Sequence, residues 1–342
     1  MNIINRKLIA LSFAAVSVIV ASAQEAATGY FMENYNMKWQ MNPAFGNRNS
    51  YVGMPALGNL NVGVHANVSP TDFVYPLNGK TVLFTHPDIS ADEALGNIKN
   101  VNRISQSLGL GIIQVGFKAF GGYNNVAINV KENASFALPK SIFSLAKEGL
   151  SNKEYDIKNL HAKAEAYAEI ALNHSRDIKW VPGLRAGVSL KFLLPVGFAE
   201  VDFDELKLNL NENNWQASSN ARMRIGLDGV KYDTDVNDRT HHRYVSGVNT
   251  DDIKFGINGF GFGIDLGASY KWKDFDFSLA FTDLGTLSYS KVQEASTNGT
   301  KSFETAAHPI AIGDDGDSWD KFVDALSPLY ELDNNGTVSS ST

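Results

Sequence analysis

His241 and His242 stand side by side in a polar stretch with Asp238, Asp251 and Asp252 nearby in sequence, a residue set that could hold a transition metal. Adjacent side chains project in different directions, so this pair reads as part of a solvated loop. Asp314-Asp315-Gly316-Asp317 offers hard oxygen donors of the kind calcium takes, yet its acids miss the alternating spacing of a calcium loop and no closing glutamate follows. Gly259-Gly261-Gly263 invites comparison with a dinucleotide loop, but Ile264 occupies the position of the required third glycine, and the strand pattern continues through it. There is no Gly-x-Ser-x-Gly elbow and no His-Glu-x-x-His pair. The chain therefore nominates no catalytic residue, no metal ligand and no cofactor, and it is read as a non-enzyme. Glu165, Glu169 and Asp265 are read as pairing with Lys163, Arg185 or Lys271 in a polar interior.

What must position these groups is a set of segments in which apolar and polar residues alternate. Phe260, Phe262, Ile264, Leu266, Ala268 and Tyr270 oppose Gly259, Gly261, Gly263, Asp265, Gly267, Ser269 and Lys271. A period of two places the first set on one face of a strand and the second on the other. The even-numbered set is expected to face lipid and the odd-numbered set to face inward.

The same alternation runs through Leu60 to Val68, Gln106 to Phe120, Tyr123 to Phe136, Leu184 to Leu194, and Phe275 to Phe281. Between Gln106 and Phe136, Gly121-Gly122 marks a tight hairpin, and a shift in the apolar register at Ile112-Ile113 marks a bulge. His161 to Asn173 is rich in helix formers, but Ala162, Ala164, Ala166, Ala168, Ile170 and Leu172 fall on one face only if the segment is a strand. Short helices are expected near Ser90 to Ile104, at Pro139 to Leu150 and at Asp317 to Leu332; residues 231–252 are expected to form an external loop. About nine strands reach the ~9–11 residues that a tilted membrane strand needs.

Met1 to Ala23 combines Arg6 and Lys7, an apolar run from Leu8 to Val20, and a small-residue site at Ala21-Ser22-Ala23. This is the pattern of a cleaved secretory signal peptide, its apolar run too short for a spanning helix. The 342 residues include no cysteine, which removes disulfides, and a net charge of −7 disfavours nucleic acid as a partner. A mean hydropathy of −0.17 does not oppose a membrane wall, because only alternate strand residues would meet lipid.

Met41-Asn42-Pro43-Ala44-Phe45, followed by alternating strands, resembles the FadL/PorV-like outer-membrane barrels of Gram-negative envelopes. Asn258 to Tyr270, with Thr282-Asp283-Leu284-Gly285 after it, is similar to an uncharacterised outer-membrane barrel family of Bacteroidota. The resemblance implies a hatch inside the lumen, and carries Asn42, Pro43 and Ala44 to that role.

The expected architecture is thus all-β: a transmembrane antiparallel β-barrel with an N-terminal lumen plug and short helices in its loops. Its parts are a signal peptide (1–23), a plug segment (24–57), barrel strands (58–290), and a loop with a short helix (291–342). Relatives of this kind end on a strand and none is visible here, so the barrel is expected to be C-terminally truncated. The expected location is the outer membrane, in contact with its lipid. The expected role is passage or binding of a small ligand, hydrophobic ligands included; the alternatives are a non-transporting scaffold for an envelope protein partner of secretion or gliding machinery, and a soluble periplasmic β-protein.

Overall fold

Period-two alternation becomes structure as long, paired strands. The computed structural model describes residues 30, 32, 35–47, 49–54, 60–149, 153–210, 215–238, 241–305, 329 and 331–341. Short strands β1 (Tyr51–Gly53) and β2 (Leu60–Ala66) are followed by the small hairpin β3 (Val74–Leu77) and β4 (Lys80–Leu83). The long strands are β5 (Val101–Ala119), β6 (Gly122–Pro139), β8 (Leu160–Asp177), β9 (Leu184–Leu210), β10 (Trp215–Leu227), β13 (Gly259–Trp272) and β14 (Phe275–Ser296). Between and after them lie β7 (Glu154–Asp156), β11 (Lys231–Val236), β12 (Arg243–Asn249), β15 (Lys301–Thr305) and β16 (Asp333–Ser341). Helices are short: α1 (Lys38–Met41), α2 (Ala91–Gly96) and α3 (Lys140–Glu148). Among the described residues no helix is long and apolar enough to cross a membrane.

All strand pairings among the described residues are antiparallel. β1 and β2 both pair with β5, and the sheet continues through β6, β8 and β9. β9 then carries two partners end to end, β13 along Leu184–Leu193 and β10 along Gly197–Leu210. β14 pairs with β13 and, further on, with β10 and β16. Within the described residues the sheet stays open: β2 pairs with β5 and β14 does not reach it.

Turn chemistry sets the ends of this wall. At the β5–β6 turn, Phe120 and Gly121 both have positive φ, 56° and 73°, the geometry whose twist matches paired strands. The expected bulge is present as a register shift between Gly111 and Ile113. The β5–β6, β8–β9 and β13–β14 turns all lie at one end, as the pairs Ala119 with Gly122, Asp177 with Arg185 and Trp272 with Phe275 require. At the opposite end, where Val101 pairs with Pro139, α2, α3 and the β3–β4 hairpin form a cap. Its core is Ile89, Ala94, Leu95 and Ile98, with Phe73, Phe84 and Phe143 packed against them. Ser90 starts α2 by accepting from the Glu93 amide at 3.1 Å.

The cap buries apolar side chains; the wall does the reverse. Phe262, Leu266, Phe277, Leu279 and Phe281 are exposed, while Gln114, Asn125, Asn129, Glu169, Asn173 and Asp265 are buried. Along β13 the even-numbered large apolar side chains lie outside and Gly261, Gly263 and Asp265 inside. Cross-strand register turns the outer positions into continuous rows, one running Val126, Leu172, Leu190, Ile264, Leu284.

Several expectations need correction. Residues 231–252 are not a plain loop, because β11 and β12 pair as a hairpin with a shift between Asp233 and Thr234. The strand region does not stop at 290: β14 runs to Ser296, β15 follows, and β16 pairs with β14, so the region 291–342 contributes strands and a strand near its end. Sixteen strands are described in all, and eight of them, β5, β6, β8, β9, β10, β13, β14 and β16, have nine or more residues, against the nine or so expected at that length. The signal peptide lies outside the described residues, as does Asp314 to Asp317 and nearly all of the helix expected at Asp317 to Leu332.

Candidate functional site

The described part of the N-terminal segment lies on the polar face of the wall. Asn42, Pro43 and Ala44 are buried there. Asn42 folds the turn by accepting the Ala44 amide on Oδ1 at 2.9 Å, and its own amide donates to the Ala268 carbonyl at 3.3 Å. From the wall, Asn173 donates to the Pro43 carbonyl at 3.1 Å and Arg185 Nε donates to the Ala44 carbonyl at 2.7 Å. The backbone approaches this closely only because two inward positions lack a side chain. A Cβ on Gly187 would overlap Pro43 and Ala44, and one on Gly267 would overlap Asn42 and Ala44. Gly259, Gly261 and Gly263, which drew attention in the sequence, instead face β14 or Lys191.

A relay of donors closes around this segment. Trp39 Nε1 donates to the Tyr51 hydroxyl at 3.1 Å, which donates to Asn125 Oδ1 at 3.1 Å; Asn125 donates to Asn173 Oδ1 at 2.8 Å, and Asn173 returns to Pro43. Every member is on a different element, so the relay ties α1, β1, β6 and β8 to the turn. Tertiary pairing of this kind is how buried polar groups avoid an unsatisfied donor or acceptor.

Between the residues around α1 and the wall lies a cavity of ≈ 510 Å³. One side is aromatic and apolar: Tyr35, Met37, Trp39, Leu60 and Leu110. The other is charged, formed by Lys131, Glu169, Lys191 and Asp283. Lys131 Nζ meets Glu169 at 2.8 Å, and Asn129 donates to the other oxygen of Glu169 at 2.9 Å. Lys191 Nζ meets Asp265 at 2.7 Å and Asp283 at 2.6 Å. Asp283 sits at a bulge with φ of 58°, and its amide donates to Asp265 Oδ1 at 2.7 Å. Lys191 and Asp265 are 6% and 0% exposed, whereas Asp283 is 68% exposed, so one carboxylate of the trio faces open space.

Of the pairings expected from sequence, Glu165 does meet Lys163, at 3.1 Å. Glu169 and Asp265 take Lys131 and Lys191 instead, and Arg185 serves the N-terminal turn and Asp177. His242 pairs with Asp333 at 3.1 Å, which commits it to the base of β16. A further cluster, His161, Glu200 and Asp202, brings ligand-type atoms within 4.8 Å of one another. Its members already have partners, because His161 Nδ1 contacts Asp202 at 2.5 Å and Glu200 is ion-paired with Arg224. Sequence reasoning missed Asn173, Lys191, Gly187 and Gly267. Their polar or small side chains on inward strand positions were visible, but nothing local says which of them meet the turn.

The chain belongs to a family described as a family of unknown function, DUF5723, whose model matches residues 43–342. Neither curated proteins nor solved structures yielded a match.

Proposed function

We propose that this DUF5723 chain is an outer-membrane β-wall protein that holds a small amphipathic ligand between the α1 region of its N-terminal segment and its polar inner face. The supporting observation is the inverted burial of the wall. A sheet that exposes Phe262, Leu266, Phe277 and Leu279 while burying Asn173, Glu169 and Asp265 leaves a large apolar surface facing outward. In water that surface would be an aggregation hazard, and in lipid it is the stable arrangement. The cap gives an internal contrast, since the same chain buries its apolar residues where it forms a small conventional core.

The turn Asn42-Pro43-Ala44 then serves as a lumen plug, which favours binding, or passage controlled by plug movement, over an open channel. The cavity lies in the size range of small-molecule sites and joins an aromatic wall to paired charges, which suits a ligand with an apolar body and a polar head. Membrane fractionation with heat-modifiable electrophoretic mobility tests the first part; recovery as a soluble periplasmic protein would overturn it. A naphthylamine fluorophore tests the second: its emission should rise on binding and fall in Trp39→Ala, and an equal response in Trp39→Ala would remove the cavity from the reading.

A further inference from the structure

The three hairpin connections at one end of the wall, of two, six and two residues, carry a repeated combination of exposed aromatic and basic side chains. At the β5–β6 turn Phe120 is 84% exposed with Lys118 beside it; at the β8–β9 turn Trp180 is 82% exposed with Lys179 and Arg176. At the β13–β14 turn Trp272 and Phe275 are exposed, flanked by Lys271 and Lys273, and the Lys273 ammonium lies over the Trp272 ring at 5.0 Å from its centroid. Strand register puts these three turns at the same end of neighbouring hairpins, so they form one rim rather than scattered tips.

The rim's acids are Asp177, Asp274 and Asp276, and Asp177 is partly answered by Arg185 at 3.2 Å. Basic groups therefore predominate there. The cap end carries both signs in balance, with Lys80, Lys99, Lys153 and Lys158 exposed beside Asp88, Asp92, Glu93 and Glu154.

We propose that the short-turn rim is a seat for anionic phospholipid headgroups. This rests on the reading of the wall as membrane-spanning. The indole and phenyl groups sit at the boundary between lipid chains and water, where an amphipathic ring is most stable, and the lysines above them meet headgroup phosphate. A zwitterionic headgroup offers the same phosphate but adds a cation that the lysines repel. The rim accordingly selects by net charge.

The test uses the full chain reconstituted in vesicles made of equal parts phosphatidylcholine and phosphatidylglycerol, with brominated chains placed on one lipid or on the other. The quenching assigned to Trp180 is the difference between the parent protein and Trp180→Phe. Brominated phosphatidylglycerol should quench Trp180 more than brominated phosphatidylcholine does, and high salt should erase the difference. The variant Lys118→Gln/Lys179→Gln/Lys273→Gln should lose the difference at low salt while keeping heat-modifiable mobility. Equal quenching by the two lipids in inserted protein would overturn the headgroup seat and leave the membrane reading standing. Failure of the parent to insert in any vesicle would overturn the membrane reading itself, and the seat with it.

Discussion

The side-chain amide of Asn173, on β8, donates to the backbone carbonyl of Pro43 at 3.1 Å, joining a strand to a turn 130 positions earlier in the chain. Asn173 also accepts from Asn125 at 2.8 Å, so a single residue supports the turn and completes the relay that starts at Trp39. Arg185 makes a second, independent hold on the next carbonyl, that of Ala44.

These two holds predict how the turn is released. Asn173→Ala strands the Pro43 carbonyl and the Asn125 amide in a buried setting, a cost of about 1–3 kcal/mol. With Ala44 replaced by cysteine, a bulky thiol reagent should be excluded in the parent background and admitted after Asn173→Ala together with Arg185→Ala. Equal labelling in both backgrounds would show that the turn is not held this way.

Close approach gives a second prediction. Gly267→Val should displace Asn42 and Ala44, since its Cβ has no room beside them, while Gly263→Val meets only the Lys191 stem at ordinary contact distance. Overpacking costs about 1–3 kcal/mol, so Gly267→Val should lower the thermal midpoint and open the cysteine at Ala44 to labelling, with Gly263→Val close to the parent. Similar effects of the two substitutions would mean that Gly267 matters for strand geometry and not for the turn.

Much of this architecture is legible residue by residue, and the part that is not has a physical cause. Alternation names the inward and outward faces of β13 because each residue reports its own side, and the His161–Asn173 segment declares itself a strand by gathering its alanines on one face. β16 escapes notice because Asp333-Asn334-Asn335-Gly336 has no apolar alternation; pairing with β14 recruits it through the backbone. The β11–β12 hairpin is hidden by its register shift, which breaks the pattern halfway. Asn42-Pro43-Ala44 stands out as a motif, but its holders come from β8, β9 and β13, and only the fold brings them to one place. Lys191 and Asp265 are likewise diagonal neighbours on paired strands, since Lys191 stands opposite Gly263 and Asp265 opposite Ser189.

That buried pair should behave unlike the surface ones. Lys191→Met leaves Asp265 without its cation in a site where it is 0% exposed, and breaking a buried pair from one side costs about 3–5 kcal/mol. Lys231, which meets Asp252 at 3.3 Å with both side chains well exposed, contributes about 0–1 kcal/mol. In denaturant unfolding of the detergent-folded protein, Lys191→Met should shift the midpoint strongly and Lys231→Met barely. Matching shifts would show that water reaches Lys191 and Asp265 freely.

The outward face gives the most demanding prediction, because it separates a membrane wall from a soluble sheet of the same strand order. Leu266 and Gly267 are consecutive on β13, yet Leu266 is exposed outside and Gly267 faces the turn. If the outer face meets lipid, Leu266→Arg places a cation among the acyl chains at a cost of about 2–4 kcal/mol near the midplane, less toward either interface. If the outer face meets water, the same change replaces an exposed leucine with a solvated charge and costs almost nothing. Leu266→Arg should therefore reduce the heat-modifiable, membrane-inserted fraction, and Phe262→Arg should do the same at an outward position further along β13. Leu266→Ser serves as the control, since it removes the apolar contact without adding charge and should fall between the parent and Leu266→Arg. Parent-like insertion of Leu266→Arg and Phe262→Arg would place this face in water and refute the membrane reading.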